Sequence, residues 1–137
     1  MDIKKIQFQK HGDERGQLVV AENGKELPFV AKRIFYIYGV NDGKRRGYHS
    51  HKKVKQVYIA IYGSCKVLLD DGFEKKEFVL NDPSIGLYVG CDIWSELYDF
   101  SNDCVFLVLA SENYEETDYI RDYDIFIKTV KEKKNEN

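Results

Sequence analysis

The chain has 137 residues and a mass of 16.0 kDa, the size of one domain or one domain with a short tail. Hydrophobic residues make up 43% and charged residues 32%, which argues against disorder, and 21 basic against 23 acidic side chains argue against a general nucleic-acid binder. No apolar run approaches the ~20 residues of a bilayer-spanning helix. Met1-Asp2-Ile3-Lys4-Lys5 is followed by polar residues and not by an apolar signal segment, so the sequence predicts a cytoplasmic protein. Cys65, Cys91 and Cys104 form no CxxC pair and read as free thiols packed as small apolar residues.

In chain order, residues 3–8 and 17–21 read as short strands. Residues 33–38, 57–62, 65–69, 77–80, 85–89 and 104–110 follow as β-branched and aromatic runs with a period of two. Turn signals separate them: Asn41-Asp42-Gly43, Tyr62-Gly63-Ser64, Asp70-Asp71-Gly72, Asn81-Asp82-Pro83 and Ser101-Asn102-Asp103. Asp71-Gly72 between two strands predicts a hairpin, because glycine accepts the positive φ of primed turns. The period then changes. Tyr119, Ile120, Tyr123, Phe126, Ile127 and Val130 recur every three or four residues, which predicts one helix over residues 118–133, capped by Thr117 or Asp118. Residues 1–130 form one predicted domain, and residues 131–137 a frayed charged tail. Many short strands with frequent turns predict an all-β sandwich or barrel.

The chemistry-bearing segment begins at Gly43. His49 and His51 follow, then Gln56 and Gly63, in the spacing Gly-x5-His-x-His-x4-Gln-x6-Gly. This resembles the first motif of the cupin superfamily, with Gln56 where metal-binding cupins carry Glu. Residues two apart on a strand face the same way, so His49 and His51 share one side, expected to be the cavity. The later segment from Leu87 to Glu96 resembles the second cupin motif, with Ser95 where a ligand histidine is expected. Two imidazoles without the other two ligands make a weak metal site, so no metal and no cofactor are expected. Imidazoles that titrate near neutral pH suit proton transfer.

Further segments carry a closer resemblance. Asp13-Glu14-Arg15-Gly16, residues 32–37, Arg46-Gly47-Tyr48-His49-Ser50-His51-Lys52-Lys53, residues 86–90, Trp94, residues 98–101 and the run 114–123 make the chain similar to the bacterial sugar 3,4-ketoisomerases. These act on dTDP-4-keto-6-deoxy-D-glucose and are labelled WxcM-like; the likeness covers about residues 5–127. It implies an all-β fold, a small antiparallel cupin jelly-roll barrel with one C-terminal α-helix. It implies an isomerase that moves a ketone from C4 to C3, a galacto-configured product slightly favoured over gluco, on the route to 3-amino-3,6-dideoxyhexoses of surface polysaccharides. His51 would be the carbon base and His49 its relay or stabilising partner. Tyr36 or Tyr38 would supply a hydroxyl to the enolate oxygen. Arg15, Arg33, Arg46 and Lys53 are candidates for the diphosphate, and Trp94 and Ser95 for the base and sugar. The partners expected are the dTDP-linked 4-keto-6-deoxyhexose and a second copy of the chain. The resemblance implies a homodimer that exchanges its N-terminal strands. Nucleic acid and membrane are not expected.

Two other readings fit the same residues. A nucleotide-sugar 3,5-epimerase would abstract a similar proton and return it to the same carbon. A non-catalytic nucleotide-sugar-binding cupin would use the histidines only as hydrogen-bonding groups. A metal-dependent dioxygenase cupin stands further off, given Gln56 and Ser95.

Overall fold

The computed structural model describes residues 1–41 and 43–136. The strands are β1 (Ile3–Gln7), β2 (Gln9–Asp13), β3 (Gly16–Val20), β4 (Arg33–Tyr38), β5 (Arg46–His51), β6 (Gln56–Tyr62), β7 (Cys65–Asp70), β8 (Lys75–Leu80), β9 (Ile85–Val89), β10 (Trp94–Tyr98), β11 (Val105–Ala110) and the two-residue β12 (Tyr119–Ile120). Among the described residues there is one α-helix, α1 (Tyr123–Glu136), preceded by a 3-10 turn at Glu116–Asp118. Two five-stranded antiparallel sheets face each other, in the orders β1-β9-β6-β11-β4 and β12-β5-β10-β7-β8, as expected of a cupin jelly roll; β2 and β3 pair only with each other.

Alternation along the strands builds three apolar layers. Tyr58, Ala60, Val67, Leu69, Leu87, Phe106 and Val108 point between the sheets and form the main core. The alternate residues Val57, Ile59, Tyr88 and Leu109 face the other side of the first sheet, where Ile6, Phe8 and Leu27 cover them. On the outer face of the second sheet, Trp94 and Ile120 pack under Phe126 and Val130 of α1.

The strand positions follow the sequence pattern closely, and the hairpin at Asp71-Gly72 is present. Its connection spans residues 71–74, with Gly72 at φ +92° and the Asp71 carboxylate accepting from the Phe73 and Glu74 amides at 2.8 and 2.9 Å. The turn expected at Asn41-Asp42-Gly43 includes Asp42, which lies outside the described residues. The helix differs from expectation. It starts at Tyr123, because Tyr119 and Ile120 pair with His51 and Ser50 of β5. Asp122, and neither Thr117 nor Asp118, caps it by accepting from the Ile125 amide at 3.1 Å. The charged residues 131–136 continue α1. The β1 strand pairs with β9 of its own chain, so only the β2–β3 hairpin projects without strand partners.

The helix is held by apolar packing and by two polar ties, Tyr123 Oη donating to Asp70 at 2.6 Å and Lys133 to Asp92 at 2.8 Å. Phe126 is fully buried at the centre of that contact. Phe126→Ala should therefore cost about 3–5 kcal/mol in urea unfolding, the range for truncating a buried phenylalanine. Trp94, whose ring centroid lies 5.7 Å from that of Phe126, is the sole tryptophan, and its emission should shift to the red in the variant.

Candidate active site

Between the sheets, at one end, lies a cavity of about 250 Å³. That is below the ~300–1,000 Å³ typical of sites that enclose a drug-sized ligand, and suits one sugar ring with the rest of a larger ligand lying at the mouth. The first sheet contributes Phe35 and Ile37 of β4, Phe106 and Val108 of β11, and Gln56 and Tyr58 of β6. The second contributes Arg46 and His49 of β5 and Ser95 and Leu97 of β10, while Tyr119 and Arg121 close the side.

The backbone before the histidines is unusual. Gly47 has φ +89°, and a Cβ there would lie 2.7 Å from the Ser95 carbonyl oxygen, so β10 can approach only a glycine. Tyr48 follows at φ +62°, a left-handed conformation that a bulky residue rarely adopts. The Ser95–Glu96 step opposite carries a register shift. This irregularity turns the Gly47 carbonyl towards the His49 ring, 3.2 Å from Nδ1. A carbonyl only accepts, so Nδ1 carries the proton and Nε2 keeps its lone pair.

His51 is held in the same tautomer by a different group. Its Nδ1 lies 3.0 Å from Oδ2 of Asp118, and both residues are almost wholly buried, at 5% and 4% exposure. The carboxylate also accepts from the backbone amides of Lys53, at 2.8 Å, and Val54, at 3.3 Å. Three donors thus converge on Asp118, which matches an ionised acceptor-only carboxylate. His51 Nε2 is buried and makes no hydrogen bond among the described residues. The two imidazoles meet edge-on with centroids 5.1 Å apart, and the Tyr119 ring lies 5.0 and 4.4 Å from them. Arg121 stacks on Tyr119 at 4.2 Å and pairs with Glu116 at 2.8 Å.

Burial and the neighbouring His51 push the His49 pKa down to about 4. Burial also lowers that of His51, against the Asp118 carboxylate, which acts to raise it. Both rings are therefore neutral at pH 7, with unprotonated Nε2 atoms. Across the cavity, burial pushes Tyr58 up to about 12, so its hydroxyl keeps its proton. The donor set does not suit a divalent ion. Gln56 Oε1, at the position where a carboxylate ligand is expected, already accepts from Tyr58, and a neutral amide is a poor ligand for a divalent ion. Among the described residues no three His, Cys, Asp or Glu side chains converge on one point.

The other expected site residues divide. Arg46 and Ser95 line the cavity. The Arg33 guanidinium sits over the Phe35 and Tyr114 rings, and its Nε and Nη2 are buried without hydrogen-bond partners among the described residues. Tyr36 and Tyr38 do not reach the cavity of their chain. Phe35 and Ile37 face inward, so the strand period turns the tyrosines outward, 62% and 72% exposed. Trp94 is likewise turned away from the cavity. Ser95 faces in, so Trp94 packs under α1 against Phe126, its Nε1 donating to Glu96 at 3.1 Å. Arg15 lies on the β2–β3 hairpin paired with Asp13, and Lys53 is exposed and paired with Glu115, so neither reaches the cavity of its chain. Sequence reasoning did not find Asp118, Tyr119 or Arg121 as site residues. Asp118 meets His51 across 67 positions, which no local spacing reveals.

Residues 1–131 match the family model described as FdtA: WxcM-like, C-terminal. The chain belongs to this WxcM-like family. It is 50% identical over 130 residues, 95% of this chain and 94% of the other, to the TDP-4-oxo-6-deoxy-alpha-D-glucose-3,4-oxoisomerase of Aneurinibacillus thermoaerophilus. A histidine-to-asparagine variant of the 3,4-ketoisomerase QdtA from Thermoanaerobacterium thermosaccharolyticum, solved in complex with TDP-4-keto-6-deoxyglucose, is 46% identical with a TM-score of 0.93, over 96% of this chain and 95% of that one. The dTDP-4-dehydrorhamnose 3,5-epimerase of Bacillus anthracis shares only the fold, at 16% identity and a TM-score of 0.76 over 86% of this chain and 77% of that one. The WxcM-like chain is thus an isomerase of the 3,4-keto type.

The depressed histidine pKa values have a consequence for stability. As pH falls below about 6.5, the unfolded chain takes up protons that the folded site refuses. Stability from this source is complete above pH 6.5 and lost as pH falls towards the His49 value of about 4. Melting temperature should drop across that window, and His49→Gln should make the drop shallower.

Proposed function

We propose that this WxcM-like isomerase moves the ketone of TDP-4-keto-6-deoxyglucose from C4 to C3. The observation that carries this reading is the buried His51–Asp118 pair beside a sugar-sized cavity. His51 Nε2 removes the C3 proton, the C3–H electron pair enters the C3–C4 bond, and an enediolate forms. The proton returns at C4, the O3 hydroxyl proton is given up, O4 gains one, and the ketone stands at C3. The electrons stay within the sugar, so no redox cofactor is needed. His49, with its free Nε2 in the cavity, relays the oxygen-bound protons. Both imidazoles lie on β5, and His49 lines the cavity. Proton removal and return on one face of a gluco-configured ring leaves C4 galacto-configured, which supports that product.

Arg33, Arg46 and Arg121 supply positive charge around the mouth, where the diphosphate would lie. A guanidinium forms paired hydrogen bonds with phosphate, and Arg33 has buried N–H groups without other partners. The exposed outer face of β4, with Ile34, Tyr36 and Tyr38, and the projecting hairpin suit a homodimer in which each hairpin crosses to the other copy. In that assembly Arg15 can serve the partner's site.

The deciding experiment incubates the enzyme with TDP-4-keto-6-deoxyglucose and follows the sugar by NMR. A C3 ketone is expected; inversion at C5 with the ketone still at C4 would indicate an epimerase, and binding without change a non-catalytic cupin. His51→Asn should lower kcat by ~10²-fold or more, the size expected for a positioned general base. Asp118→Asn should do so too, because an amide can offer His51 Nδ1 a donor and reverse the tautomer. Neither should alter TDP affinity much, whereas Arg33→Ala should weaken TDP binding with a smaller effect on kcat. Sedimentation at micromolar concentration should give about twice the chain mass of 16.0 kDa; a species of chain mass would overturn the dimer.

A further inference from the structure

Facing the histidines across the cavity is a buried polar chain to which the proton transfers described above give no role. Gln56 of β6 is 3% exposed and lines the cavity. Its Oε1 accepts a hydrogen bond from the Tyr58 hydroxyl at 3.0 Å. The same hydroxyl lies 3.2 Å from Ser95 Oγ, on the opposite sheet. Ser95 is the cross-strand partner of His49. The chain Gln56–Tyr58–Ser95 therefore crosses the cavity from one sheet to the other and ends beside His49. Burial keeps the Tyr58 hydroxyl protonated, so it remains a donor at every working pH.

A tyrosine hydroxyl has one proton. Donated to Gln56 Oε1, it fixes which end of the amide is which: the oxygen is occupied, and the NH₂ group is the end left to serve the cavity. A metal ion at this level of a cupin would meet a ligand oxygen; here a ligand meets N–H donors. Enolisation places negative charge on a sugar oxygen in a water-poor cavity, where a preorganised neutral donor acts strongly.

Taking the ketoisomerase reading as its premise, we propose that Gln56 is a catalytic residue whose side-chain N–H groups hydrogen-bond the enediolate oxygens, and that Tyr58 and Ser95 are positioning residues that hold its amide in the donating orientation. The amide does in this chain what a Lewis-acidic ion would do: it stabilises the oxyanion. The histidines are left free to move protons. Ser95, small and neutral, can lie within reach of the sugar and donate its own hydroxyl proton to the Tyr58 oxygen.

The test uses Gln56→Glu, which keeps the side-chain shape and the acceptor for Tyr58 but replaces the NH₂ donor with an acceptor. Steady-state turnover, TDP affinity, melting temperature and solvent-deuterium exchange at C3 are measured together. The expected result is a loss of ~10²-fold or more in kcat and a matching loss in C3 exchange, the size seen when one oxyanion donor is removed, with TDP affinity and melting temperature close to wild type. Tyr58→Phe, which frees the amide to turn, should lower kcat by a smaller factor and again leave TDP affinity unchanged. It provides the same readout if the first variant does not fold. Wild-type turnover and exchange in Gln56→Glu, or in Tyr58→Phe where that variant stands in, would overturn the proposal, as would a loss confined to TDP affinity. Absence of ketone migration in the wild-type enzyme would instead remove the ketoisomerase premise.

Discussion

The hydrogen bond between His51 and Asp118 is the interaction on which the site depends. It joins β5 to the segment entering β12, two parts of the chain separated by 67 residues. Asp118 is buried, and a buried carboxylate without partners would be costly. Here three donors face it: the imidazole Nδ1–H and two backbone amides from the turn after β5. The same convergence pins that turn, seats Tyr119 against both imidazoles, and leaves His51 Nε2 as the free end of the ring. Tyr119 and Ile120 then pair with β5, and α1 follows, capped by Asp122, to cover Trp94. The C-terminal segment is thus both a wall of the cavity and the anchor of the His51 ring.

The barrel supplies a setting with two unlike walls. The wall facing the histidines is mostly apolar, from Phe35, Ile37, Phe106 and Val108, and burial holds the imidazoles neutral. Arg46 and Arg121 add positive charge to the cavity lining. Neutral imidazoles beside a cavity that carries two arginines are the setting for the proposed reaction on a diphosphate-linked keto sugar. The irregular backbone at Gly47 and Tyr48 is part of this arrangement. It departs from regular strand geometry at the point where a carbonyl must turn to meet His49.

Much of this was legible in the sequence because strands alternate. The strand at residues 33–38, the placement of His49 and His51 on one face, and the amphipathic stripe that became α1 all follow from periods of two and 3.6. The same period, applied strictly, would have turned Tyr36 and Tyr38 away from the cavity once Phe35 and Ile37 were placed inside. It would also have set Trp94 opposite to Ser95. Other features had no local signal. Asp118 sits within a run that reads as a helix start, and only the tertiary pairing of Tyr119 with His51 shows that the chain is extended there. Arg121 looks like one charge among 21 basic residues until it is seen stacked on Tyr119. Gln56 was legible as a departure from a metal ligand, but its orientation depends on Tyr58 and Ser95 lying close in space.

The proposed chemistry requires both imidazoles to be neutral and protonated on Nδ1, with Nε2 free to act. Long-range ¹⁵N–¹H correlation spectra of histidine-labelled protein at pH 7, assigned with single His→Gln variants, test it directly. His49 and His51 should each show a protonated Nδ1 and an unprotonated Nε2. An imidazolium pattern at His51, or a proton resident on its Nε2, would contradict the account.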